Sequence, residues 1–140
     1  MKTPVIADSS GLVSLAFGTD SNHSLAVAGS VSIQEQKFPF IIPGEVITET
    51  INVIGKKISH TEALRVGRSI LGSSDFSIVE TTADLRRRAL EKFEKQASSV
   101  SFTDCLIMAV ADTYNTLLIF GYDEVFRKNG YIRFGLDDQK

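Results

Sequence analysis

The chain has 140 residues, a formal net charge of −2, 43% hydrophobic and 23% charged side chains, the balance of an ordinary globular protein with one domain, residues 1–140, long enough to bury its own core. That charge excludes attachment to nucleic acid through bulk positive charge, though not through a local basic patch. Its only cysteine, Cys105, excludes an internal disulfide or a cysteine-based zinc site.

The first apolar run, Pro4 to Ala7, is short and partly β-branched and predicts a buried strand ending at Asp8. Because the run stops there it does not have the form of a signal peptide. No later stretch reaches the length of a membrane span. The expectation is a cytoplasmic protein without a membrane partner. "SSGLVSLAFG" predicts a short helix closed by Gly18, and residues 21–36 predict a second helix, weakened by Gly29 and its serines. "KFPFIIP" predicts the second strand, with Pro43 ending it and opening the next helix. In "GEVITETINVIGKK", Val46, Ile47, Thr50, Ile51 and Ile54 share one helical stripe. "SHTEALRVGRSILG" predicts a capped helix ending near Gly72.

"FSIVE" predicts the third strand and "TTADLRRRALEKFEKQ" an amphipathic helix whose Arg86, Arg87 and Arg88 could face RNA, although such a run more often forms a solvated face with internal ion pairs. "SFTDCLIMAVADTYN" predicts a buried helix, with Ser101 and Asp104 spaced as a capping box and Cys105 as a small core residue. Asp112, about two turns further on, is expected at its solvent end with no role in a site. "TLLIFG" and "YIRFG" predict a fourth and a short fifth strand, and "LDDQK" a frayed tail. His23 and His60 lie in polar surroundings and predict surface histidines. Strands alternating with helices predict an α/β fold with a mainly parallel central sheet.

Open parallel sheets bind ligands beyond the carboxyl ends of their strands. Asp8 follows the first strand, Glu45 and Glu49 lie in the first turns of the helix after the second, Asp104 heads the buried helix and Asp123 follows the fourth strand. Capping accounts for Asp104 and Asp8 but poorly for Glu49, which lies inside its helix. Carboxylates gathered in one cleft repel one another, and a divalent cation with oxygen ligands, Mg²⁺ or Mn²⁺, removes the conflict. Such a site suits phosphoryl-transfer chemistry. Ser9, Ser10 and Thr103 stand beside these acids and could hydrogen-bond the site, although serines at a helix start more often cap it. The chain contains no phosphate-binding glycine loop, dinucleotide fingerprint or nucleophile elbow.

In this order, "VIADSSGLVSLA", "IIPGEVITETINVIGK", "SFTDCLIMAVAD" and "LLIFGYDEVF" resemble the PIN domain family, in particular its small toxins of the VapC type, from Val5 to about Phe134. The resemblance implies a three-layer α/β/α sandwich and a Mg²⁺- or Mn²⁺-dependent ribonuclease. It implies that Asp8, Glu49, Asp104 and Asp123 are the catalytic and metal-binding acids. Glu49 is reached by counting from Pro43, and Glu45 is then a rim residue. It also implies an RNA substrate, a cognate antitoxin protein whose peptide occupies the active-site groove, and a homodimer. One position departs from the family: Gly121 stands where members often carry Thr or Ser two residues before the fourth acid, so a hydroxyl that could orient a metal water or a phosphate is absent. The rival expectations are a PIN-like scaffold that binds RNA or protein without cleaving, and a Mg²⁺-dependent phosphatase of small molecules.

Overall fold

A computed structural model describes residues 2–137. In chain order the elements are β1 (Val5–Ala7), α1 (Ser9–Ala16), α2 (His23–Glu35), β2 (Phe40–Pro43), α3 (Gly44–Lys57), α4 (His60–Gly72), β3 (Ser77–Val79), α5 (Ala83–Glu94), α6 (Phe102–Thr113), β4 (Leu118–Phe120), α7 (Glu124–Lys128) and β5 (Ile132–Arg133). The helices begin where local chemistry starts them. Ser59, Thr82 and Ser101 each accept a hydrogen bond from the backbone N–H three residues on, at 3.0–3.1 Å, which satisfies a donor the helix leaves unpaired. In α3 the acid Glu45 sits in the first turn and Lys56 and Lys57 in the last, matching the helix dipole.

The strands form one sheet in the order β3-β2-β1-β4-β5. Every neighbouring pair is parallel, so the sheet is wholly rather than mainly parallel. Alternate strand residues serve opposite faces. Ile6 and Ile119 pack into the core around α6, whereas Val5 and Phe120 pack with Ala26 and Ile33 of α2 and Phe134. Helices therefore cover both faces in the α/β/α arrangement. Helix α6 is buried at every position from Cys105 to Ala111, as an apolar helix against a parallel sheet must be. No helix among the described residues is long and apolar enough to cross a membrane.

Three local expectations change. Helix α1 ends at Ala16 with Phe17 as an extended C-cap, and Gly18 does not close it. β2 starts at Phe40, because Lys37 takes a left-handed turn with φ 59° that breaks the ladder. The tail is anchored as far as Asp137, whose carboxylate accepts from Arg133 Nη2 at 2.8 Å and Nε at 3.0 Å; residues 138–140 lie outside the described residues.

The order of the strands selects the edge that matters. The chain builds outward from β1 to β3, then returns to place β4 on the other side of β1. The reversal lies between the ends of β1 and β4, where such sheets open a crevice. Helix α1 closes tightly on β4 there. A Cβ on Gly11 would stand 2.3 Å from the Phe120 carbonyl oxygen, a backbone atom that cannot step aside. Gly11→Ala is expected to destabilise the protein by about 3 kcal/mol, the upper range for an overpacked core, read as a lower urea midpoint at unchanged slope.

Candidate functional site

Asp8 leaves β1 and enters α1 as its N-cap. Its backbone N–H donates to Phe120 O at 3.0 Å, which locks it to β4. Its Oδ2 accepts from the Ser10 N–H at 3.1 Å and from the Ser10 hydroxyl at 2.5 Å. The side chain is only 4% exposed, so these bonds hold a carboxylate that burial would otherwise penalise.

Glu45 and Glu49 part company in space although they lie one turn apart in α3. Glu49 Oε1 accepts from the Ser9 hydroxyl at 2.6 Å, beside Asp8. Glu45 Oε1 accepts from the Thr81 hydroxyl beyond β3. Asp104 is in the first turn of α6, where its backbone N–H donates to Ser101 Oγ at 3.1 Å. The cap is made by Ser101 and received by the backbone of Asp104; the Ser101 hydroxyl also pulls the Asp104 carboxylate down, against the charges of Asp8, Asp123 and Glu49 that push it up. Asp123 caps α7, accepting from the Val125 N–H through Oδ1 at 3.0 Å.

The electrostatics register this convergence. Burial pushes Asp8 from 3.8 up to about 6, against the pull of its bonds to Ser10, and Glu49 adds to the rise. Burial also pushes Asp104 up to about 6, and the charges of Asp8, Asp123 and Glu49 each add to it. A carboxyl whose folded pKa lies above its unfolded value holds a proton that the unfolded chain releases. Its stabilisation is complete below pH 3.8 and is lost as pH rises through about 6. At about 1.4 kcal/mol per pH unit, ionised Asp8 costs the metal-free protein about 3 kcal/mol at neutral pH. Asp8→Asn is accordingly expected to raise the melting temperature of the metal-free protein at pH 7.5 by at least about 5 °C, and by much less at pH 4.5; scanning calorimetry at the two pH values checks it.

Among the described residues no group of three or more His, Cys, Asp or Glu side chains is drawn up around a point suited to a metal ion. The donor set nevertheless fits a hard cation. It offers only oxygen, which suits Mg²⁺ or Mn²⁺. Glu49 and Asp123 each spend one oxygen on a hydrogen bond, to Ser9 and to the Val125 N–H, and their second oxygens accept none among the described residues. Two acids pushed up to about 6, Asp8 by burial and the charge of Glu49, Asp104 by burial and the charges of Asp8, Asp123 and Glu49, are the groups a cation would relieve.

A cleft of about 220 Å³ opens beside the acids, lined by Asp104 and Asp123 with Lys128 and Asn129 on its rim. A larger one of about 720 Å³, lined by Leu15, Ile33, Phe40, Ile70 and Phe76 among others, contains none of the four acids. The other expected features fall outside the site. Asp112 accepts from Tyr131 at 2.6 Å and pairs with Lys92 at 2.7 Å. Arg87 and Arg88 pair with Asp84, the internal ion pairs expected of a solvated face. Cys105 is fully buried. His23 Nδ1 bonds the Ser14 carbonyl at 2.8 Å, and His60 is exposed at the start of α4. Of the hydroxyls expected beside the acids, Ser9 bonds Glu49 and Ser10 bonds Asp8, and the Ser10 hydroxyl also accepts from the Tyr122 N–H at 3.0 Å. The spacing of Ser10 from Asp8 is visible in the sequence as a cap; the link to Tyr122 is not.

Comparison with known proteins agrees with this fold. The family model described as PIN domain matches residues 5–130. The crystal structure of Mycobacterium tuberculosis VapC20, described as a sarcin-ricin-loop-cleaving toxin, superposes with a TM-score of 0.81 at 21% sequence identity, over 92% of this chain and 97% of that one. At that identity the likeness speaks for the fold. No curated protein matches.

Proposed function

This chain belongs to the PIN domain family, and we propose that it is a ribonuclease dependent on Mg²⁺ or Mn²⁺ that hydrolyses RNA phosphodiester bonds. The observation that supports the reading is that Asp104, in the first turn of α6, feels the charges of Asp8, Asp123 and Glu49, which come from three other segments of the chain. These four are both its metal-binding and its catalytic acids. A bound divalent cation would supply an activated water and neutralise charge developing on the phosphate.

The protein's own part is positional. Asp8 is fixed by its backbone bond to β4 and by Ser10, Glu49 by Ser9, and Asp123 by the start of α7. Asp104 projects from the first turn of a fully packed helix, so its carboxylate has little freedom to withdraw. Holding reacting groups in place in advance lowers the entropic cost of the reaction. RNA would enter by the cleft that Asp104 and Asp123 line, where Lys128 on the rim offers a cation to a flanking phosphate.

The activity described for VapC20, and the resemblance of the motifs to VapC-type toxins, support the further reading that this is the toxin of a toxin–antitoxin pair. It would then act in the cytoplasm, form a homodimer, and be restrained by an antitoxin segment lying in the same groove. The test is incubation of the purified protein with bulk cellular RNA in Mn²⁺ and in excess chelator. Cleavage in Mn²⁺ alone is expected. Cleavage that persists in chelator sinks the metal-dependent reading, and RNA that is bound but never cut returns the chain to the role of a scaffold.

A further inference from the structure

We propose that Ser10 is a positioning residue of the acidic site, bridging its two halves with one hydroxyl in the space that a side chain at Gly121 would need. The inference rests on the reading of the four acids as a metal centre.

The geometry at the bridge is specific. The Ser10 hydroxyl donates to Asp8 Oδ2 at 2.5 Å and accepts from the Tyr122 N–H at 3.0 Å, across 112 positions of sequence. A hydroxyl is suited to this, because it donates once and accepts as well. Tyr122 directly precedes Asp123, and Asp123 opens α7. One side chain thus fixes the first acid to the turn that carries the fourth.

Gly121 makes the bridge possible. A Cβ at that position would stand 2.6 Å from Asp8 Cβ, 2.9 Å from Asp8 Oδ2 and 3.1 Å from Ser10 Oγ. The space in front of Gly121 is already occupied by Asp8 and the Ser10 hydroxyl. A Thr or Ser at 121 and the present Ser10–Asp8 contact are mutually exclusive without movement of one of them. Chains with a hydroxyl at that position could orient a ligand from the β4 side; this chain supplies its hydroxyl from α1, directed at Asp8 rather than outward.

Partners that orient a ligand from outside the first layer change metal affinity by about 10- to 100-fold when removed. The experiment compares wild type, Ser10→Ala and Ser10→Thr by calorimetric Mn²⁺ titration and by hydrogen exchange of the Tyr122 amide, with melting temperature as a control. Ser10→Ala is expected to weaken Mn²⁺ binding by about 10- to 100-fold and to speed exchange at Tyr122 but not at Ile119. Ser10→Thr, which keeps the hydroxyl, is expected to restore both. Wild-type Mn²⁺ affinity in Ser10→Ala overturns the proposal, as does an equal loss in both variants. If the wild type itself binds no Mn²⁺, the metal reading of the site fails; Tyr122 exchange then decides the bridge alone, with unchanged protection in Ser10→Ala overturning it and faster exchange reversed by Thr upholding it.

Discussion

Asp104→Asn is expected to lower Mn²⁺-dependent RNA cleavage by at least about a hundredfold while leaving the melting temperature of the metal-free protein at pH 7.5 unchanged or raised. Two arrangements set these opposite signs. The start of α6 is held by Ser101 Oγ accepting from the Asp104 backbone N–H, a bond that survives the substitution. The carboxylate, meanwhile, is pushed up to about 6 by burial and by the charges of Asp8 and Asp123, so a neutral amide relieves a cost in the folded state. What is lost is an anionic oxygen facing the other acids. Ser101→Ala is the mirror experiment. It should cost about 1 kcal/mol, the usual value of an N-cap, and leave cleavage within a few-fold. Cleavage and thermal melts on the two variants separate the roles. Equal loss of cleavage in both would mean that Asp104 matters only through the helix it begins.

Gly121→Thr introduces the hydroxyl that the family resemblance leads one to expect here, and it is expected to weaken this protein. The new Cβ would meet Asp8 Cβ at 2.6 Å and Oδ2 at 2.9 Å. Asp8 cannot retreat freely, because its N–H is bound to Phe120 O at 3.0 Å and its side chain is 4% exposed. Overpacking of this kind costs about 1–3 kcal/mol. The displaced carboxylate should also lower Mn²⁺ affinity and cleavage, each by at least about tenfold. Denaturant unfolding and Mn²⁺ titration read the two effects. A gain of activity would mean that the turn before Asp123 relaxes enough to accept a side chain at position 121.

The two substitutions differ in what the sequence alone could anticipate. Asp104 is legible because its signals are local: an apolar run of helical length, a serine three residues earlier, and an acid at the mouth of a buried helix. The cap reading was partly right for the same reason, since Ser101 does cap; only the return bond from the carboxylate, which the capping-box spacing implied, is not part of the cap. The effect of Gly121 is not legible locally. Nothing in "IFGYDEVF" indicates that Asp8 and Ser10 will occupy the space a side chain there would need.

Glu45 and Glu49 show the same boundary within one helix. Both lie near one face of α3, and periodicity cannot separate them. The separation comes from what packs alongside: Ser9 of α1 reaches Glu49, and Thr81 after β3 reaches Glu45. Strand lengths were overestimated because apolar composition continues past the point where hydrogen bonding stops, as at Lys37 with its left-handed turn. Asp137, expected in a frayed tail, is held by Arg133 through an ion pair at 2.8 Å.

By itself the sequence determined the alternation of strands and helices, the buried character of α6, the starts of α4, α5 and α6, and the positions of the acids relative to strand ends. These follow from side-chain periodicity and capping, which act over a few residues and so leave their mark within one window of chain. The tertiary structure alone decided the strand order β3-β2-β1-β4-β5, the rise of Asp8 and Asp104 to about 6, and the bridge from Ser10 to Tyr122 across 112 positions. Burial and Coulomb energies depend on distance through space, and a hydroxyl can join two segments only after the sheet has brought them together.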